Sequence, residues 1–164
     1  MSNVRPESME RITTEALVTE IRTVLQNARN NAARQVNSEL LAAYWNIGRI
    51  ICEHEQTVPD RADYGKRTLK ELSRALTKEF GKGFSVSNLQ FMRRFYQDYP
   101  IQQTLSVKLS WSHYCELLTI SDREKRSFYE KETVTAGWSV RELQRQLESS
   151  LFERLLLSRR EADR

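Results

Sequence analysis

Two short clusters carry residue types that bind metals or attack substrates: Cys52-Glu53-His54 and His113-Tyr114-Cys115. In each, thiol and imidazole stand two residues apart, and on a helix such positions point about 200° apart, whereas helical ligand pairs use i,i+3 or i,i+4 spacing. Neither cluster therefore makes a metal site. Gly65-Lys66-Arg67-Thr68 ends like a phosphate-binding loop, but the glycine needed five residues earlier falls at Asp60, and the cradle is missing. A metal-dependent nuclease needs clustered acids near a lysine, and no Asp-x-Lys or Glu-x-Lys tripeptide occurs in the 164 residues. His113 lies beside Trp111 and Tyr114 with no acid partner suggested locally, so it reads as a hydrogen-bonded packing residue and not a general base. The expectation is a chain that is not an enzyme and holds neither metal nor cofactor.

With catalysis set aside, charge becomes the informative property. The net charge is +4, and between residues 61 and 100 nine Lys/Arg face four acids, so this stretch alone holds the positive excess. Such an excess points to an anionic partner. The composition, with 39% hydrophobic and 29% charged residues, 5 Gly and 3 Pro, excludes fibrous and disordered classes and favours a helix-rich globular domain. The 2 cysteines are too few for a disulfide framework and fit a reducing cytoplasm. Residues 1–16 lack an apolar leader, and no apolar run approaches the roughly 20 residues of a membrane span. A cytoplasmic chain that contacts no membrane is expected.

Periodicity supplies the elements that must position these charges. A stripe through Ile12, Leu17, Ile21, Leu25 and Ala28 marks an amphipathic helix after a flexible segment 1–10. The run 36–53 is apolar on more than one side and reads as a buried central helix, in which Gly48 lets another element approach closely. Pro59 and a capping Asp60 set a boundary, and Leu69, Leu72, Leu76 and Phe80 line the next helix, which stops at Gly81-Lys82-Gly83. Ser85 opens the following helix and Pro100 ends it. Ser110, Ser121-x-x-Glu124 and Ser139-x-x-Glu142 are further helix starts, the last opening a long apolar helix over 140–157, and Gly137 closes the helix before it. Residues 104–109 are the one candidate for a short extended piece. The fold class is all-α: a compact multi-helix domain with N-terminal helices in 11–58, a helix-turn-helix-like unit in 59–100, with or without a wing, and C-terminal helices in 101–164, one domain overall.

Helix, glycine turn and helix over 69–99 form the skeleton of a helix-turn-helix. On its second helix Leu89, Phe91, Met92, Phe95, Tyr96 and Tyr99 share one face, while Ser87, Gln90, Arg93, Arg94 and Gln97 share the other, with Asp98 at the margin. These polar types pair with base edges and phosphate oxygens. Lys66, Arg67, Lys70, Lys82 and the cap Ser85 can reach flanking phosphates. The plainer alternative makes Arg93 and Arg94 the solvated back of a core helix.

The motifs Asn37-Ser38-Glu39-Leu40-Leu41, Trp45-Asn46-Ile47-Gly48, Tyr64-Gly65, Gly83-Phe84-Ser85, Asn88-Leu89, Met92-Arg93-Arg94-Phe95-Tyr96, Leu109-Ser110-Trp111-Ser112-His113 and 137–143 (GWSVREL), in that order, resemble the N-terminal domain of the YhcG family. Members of this bacterial family are described as candidate nucleases of the PD-(D/E)xK class. The resemblance covers about residues 21–155 and implies a helical DNA-binding domain that precedes a C-terminal nuclease domain, which is expected to be missing here. Trp111, Ser112 and His113 belong to a family motif without an assigned role, a structural corner ranking ahead of a partner or nucleic-acid contact. The expected partner is DNA, with a second copy of the chain or a nuclease domain or subunit as further candidates. The rival reading is an interaction or oligomerisation domain sealed by the stripe 12–28 or the apolar helix 140–157.

Overall fold

Short polar side chains punctuate the second half of the chain. In the computed structural model, which describes the backbone of residues 6–58 and 61–164 and their side chains except those of 6–13, 61 and 64, the helices are α1 (Pro6–Glu55), α2 (Arg61–Phe80), α3 (Val86–Asp98), α4 (Trp111–Leu118), α5 (Arg123–Ala136), α6 (Val140–Glu148) and α7 (Leu151–Ala162). Ser85, Ser110 and Ser139 cap α3, α4 and α6 by accepting the backbone N–H of Asn88, His113 and Glu142. Asp122, not the expected Ser121, caps α5: its carboxylate accepts from Lys125 N at 2.9 Å, and a negative charge suits a helix N-terminus. Gly137 ends α5 in the left-handed region. The fold is all-α, and no strand occurs among the described residues; 104–109 holds the end of a 3-10 turn (Gln102–Thr104) and a further turn at 107–108 instead of an extended piece.

Three further expectations are corrected. The two N-terminal apolar runs lie on the single helix α1, because residues 29–35 between them contain neither Gly nor Pro to end it. The run 36–53 is not buried all round: Leu41, Ile51 and Cys52 are buried, while Val36, Leu40 and Ile50 are exposed. The apolar stretch 140–157 is two helices, broken where Ser150 takes φ 55°; there Arg154 Nε donates to the freed Ser149 carbonyl at 3.0 Å. Pro59, Asp60 and residues 1–5 lie outside the described residues, and α1 is helical from Pro6.

The chain divides into two compact units, residues 1–37 and 38–164. In the first, every described side chain from 14 to 36 is exposed. The second has two apolar clusters joined through α3. Phe95 belongs to one, with Leu41, Leu109, Tyr114, Leu117, Leu118, Ile120, Tyr129 and Leu143, and Leu89 and Met92 belong to the other, with Ile51 and Leu69. The glycine at position 48 does what its place in an apolar helix suggests: a Cβ there would stand 2.0 Å from the Met92 carbonyl oxygen, so α1 and α3 touch backbone to backbone.

A polar network crosses this core. Trp45 Nε1 donates to the Tyr99 carbonyl at 2.6 Å, Tyr99 Oη donates to Glu130 Oε2 at 3.0 Å, and buried Arg126 donates to the Ile120 carbonyl and pairs with Asp98 at 3.1 Å. Asp98 is thereby an internal partner and not a margin of the outer face. Burial raises the Glu130 carboxyl above the usual range, against the opposing pull of the Tyr99 hydroxyl and Arg126. The folded chain then holds a proton that the unfolded chain has released. This contribution to stability is complete below the ordinary glutamate value of 4.5 and is lost as pH rises through the raised value. Glu130→Gln should remove that dependence, so urea unfolding across this window should show the variant gaining on the parent as pH rises. Parallel profiles would refute it.

Candidate nucleic-acid interface

On α2, Gly65, Leu69, Leu72 and Leu76 turn inward: Gly65 and Leu69 are buried, Leu72 and Leu76 half-buried. At about 100° per residue, Lys66, Lys70, Arg74 and Lys78 follow one another at i,i+4, with Arg67 beside them, along the other side. All five are exposed. Like charges at this spacing each cost a helix about 0.2–0.5 kcal/mol, and Asp63 and Glu71 only interrupt the row. Among the described residues none of the five forms an ion pair. Arg74 and Lys78 were not singled out in the sequence as contact residues, although the four-residue repeat of cations carries them.

The turn after α2 extends this basic surface. Gly81 (φ 83°) and Gly83 (φ 108°) occupy conformations open to glycine, and Lys82 between them is exposed. Ser85 and Ser87 follow at the start of α3, both exposed. Further along, Gln90 and Gln97 are exposed, while Arg93 and Arg94 are half-buried.

The two arginines part company. Arg93 Nη1 is bound to Glu55 Oε1 at 3.0 Å, at the end of α1, with the Glu55 side chain only 16% accessible. The backbone of Arg93 is engaged as well, its carbonyl accepting from Cys52 Sγ at 3.8 Å. Arg94 has no ion-pair partner among the described residues. Arg93→Ala should therefore cost about 1–3 kcal/mol in urea unfolding by leaving a carboxylate largely buried and unpaired, whereas Arg94→Ala should stay within about 0.5 kcal/mol. Equal costs would show that the Glu55 pair contributes nothing.

The Trp111-Ser112-His113 motif forms a brace. Asn88 Nδ2 donates to the Gly83 carbonyl, and Asn88 Oδ1 accepts from Trp111 Nε1 at 2.9 Å. His113 Nδ1 accepts from Ser110 N at 3.1 Å, and His113 Nε2 lies 2.8 Å from the Trp138 carbonyl. These bonds select the tautomer with its proton on Nε2 and complete a capping box with histidine in the place of the usual Glu or Gln. The glycine turn, α4 and the segment between α5 and α6 are thus linked through motif residues. Ser112 is exposed. Periodicity alone could not show this set, since its bonds span 23 and 25 residues.

The thiols offer no nucleophile. Burial pushes Cys115 up to about 12 and raises Cys52 as well, so both are protonated near neutrality. Among the described residues no group of three or more His, Cys, Asp or Glu is arranged to hold a metal ion, and no helix is long and apolar enough to cross a membrane.

Residues 20–154 match the family described as DUF1016 N-terminal domain. The chain is also 38% identical over 167 residues to the protein named "Putative nuclease YhcG" of Escherichia coli (strain K12), covering 82% of this chain and 44% of that protein. It thus spans less than half of that relative's length. No solved structure gives a significant match.

Proposed function

From a chain that belongs to the DUF1016 N-terminal domain family, we propose a DNA-binding module that in longer relatives holds a nuclease portion on its substrate. The observation that carries this reading is the cationic row of α2 and the turn: Lys66, Arg67, Lys70, Arg74, Lys78 and Lys82 are exposed and form no ion pair among the described residues. A helix that bears such a row gives up stability, a polyanion that neutralises the charges restores it, and release of the polyanion's condensed counterions drives the binding. Ser85, Ser87, Gln90, Arg94 and Gln97 add hydrogen-bonding groups from α3, while Arg93 serves chiefly to hold α3 against α1. The relative's name supplies the nuclease half of the proposal, and the cationic row of this chain supplies the binding half. Titrating the chain onto duplex DNA at rising salt tests it: log K should fall linearly, by about 0.9 per phosphate contact for each decade of salt. Binding that is absent, or indifferent to salt, contradicts it.

Self-association is a second reading, compatible with the first. Leu17, Val18, Ile21, Val24 and Leu25 are all 46–66% exposed. The steps from Val18 to Ile21, Leu25, Ala28 and Ala32 alternate three and four, which is the spacing of a coiled-coil seam. The parent chain should scatter light as a dimer at about 100 µM, above a micromolar Kd, and Ile21→Asp with Leu25→Asp should reduce it to a monomer. A parent already monomeric at that concentration removes this reading.

A further inference from the structure

We propose that the corner between α2 and α3 receives an unpaired DNA base, with Phe80 as its stacking surface. This rests on the DNA-binding reading and narrows its substrate to DNA that contains unpaired nucleotides. Phe80 continues the apolar stripe of α2 in the sequence, but α2 ends at this residue and the side chain is 63% exposed. Among the described residues it is the one aromatic side chain that is exposed. Every other described Phe, Tyr and Trp is buried or half-buried.

The surroundings of Phe80 fit a nucleotide. Phe84, which packs on the inner cluster, supports the ring with centroids 6.0 Å apart and planes at 53°, so the ring is backed by the fold. Above the turn there is room: a Cβ at Gly81 or Gly83 would meet nothing within 4 Å. Lys82 stands two residues beyond Phe80, past the end of α2, and is exposed, as is one acid, Glu79. An aromatic face beside a cationic surface is how proteins take hold of a strand whose bases are free to stack. A base inside an intact duplex has both faces covered by its neighbours and offers nothing to the ring. The corner therefore distinguishes DNA by the presence of an unpaired base and not by its sequence.

Fluorescence anisotropy on the full chain tests this with three probes: a blunt duplex, the same duplex with a central unpaired bubble, and the single strand. The bubble should bind about tenfold tighter than the blunt duplex, the size expected of stacking on one aromatic side chain. Phe80→Leu, which keeps apolar bulk against Phe84, should bring the bubble down to the blunt-duplex level with the thermal midpoint near the parent's. Phe80→Trp should keep the preference. Equal affinity of the parent for blunt and bubble DNA, or a preference that survives Phe80→Leu, overturns the inference while leaving DNA binding intact. Failure to bind any probe overturns both.

Discussion

Gly48→Ala should cost about 3 kcal/mol or more and lower the thermal midpoint by roughly 10 °C. An alanine Cβ would stand 2.0 Å from the Met92 carbonyl oxygen, 2.7 Å from its carbon and 3.1 Å from the Tyr96 Cβ. The first two are backbone atoms of α3, which cannot swing aside as a side chain can. Relief requires α1 and α3 to separate, and separation loosens the cluster of Ile51, Leu69, Leu89 and Met92. The gain in helix propensity on replacing glycine, about 1 kcal/mol, is too small to compensate. Gly65→Ala provides the control on the neighbouring helix: there a Cβ would first meet the Glu55 carboxylate at 3.3 Å, the movable end of a side chain. That variant should stay within about 1 kcal/mol of the parent in urea unfolding. A Gly48→Ala protein as stable as Gly65→Ala would show that the α1–α3 contact is not as close as described.

Local rules carried much of this fold. Caps at Ser85, Ser110 and Ser139, the stop at Gly137 and the close approach at Gly48 were legible, because each depends on a few adjacent residues or on one missing side chain. What stayed hidden depends on distance. Arg93 looks like a surface arginine on a two-sided wheel, but α3 is enclosed by α1, α2 and α4, so a third side becomes interior and Glu55, 38 residues away, claims the guanidinium. Phe80 shares the periodicity of Leu69, Leu72 and Leu76, yet the helix ends beneath it and it is left exposed. Serines 149 and 150 hid a break in an apolar run, since serine only weakly opposes a helix. As for the candidate site, the concentration of positive charge was visible as composition, whereas its arrangement as one row on α2 required knowing which side of that helix faces inward.

The second large effect belongs to that row. Replacing Lys70, Arg74 and Lys78 with alanine removes three like-charge i,i+4 repulsions and introduces the best helix former, so the triple variant should be at least as stable as the parent. Its DNA affinity should move the opposite way. Each phosphate contact supplies about 0.9 log unit near 0.1 M salt relative to 1 M, so losing three should weaken duplex binding roughly 100-fold or more. A loss caused by misfolding cannot produce this pairing of kept stability and lost affinity. Arg93→Ala should give the reverse pattern, with stability lowered and the salt dependence of binding little changed. The decisive measurement is the slope of log K against log salt for duplex DNA, parent beside triple variant. The account predicts a variant slope shallower by about 3. An unchanged slope, with the variant folded, would contradict the assignment of α2 as the DNA-binding surface.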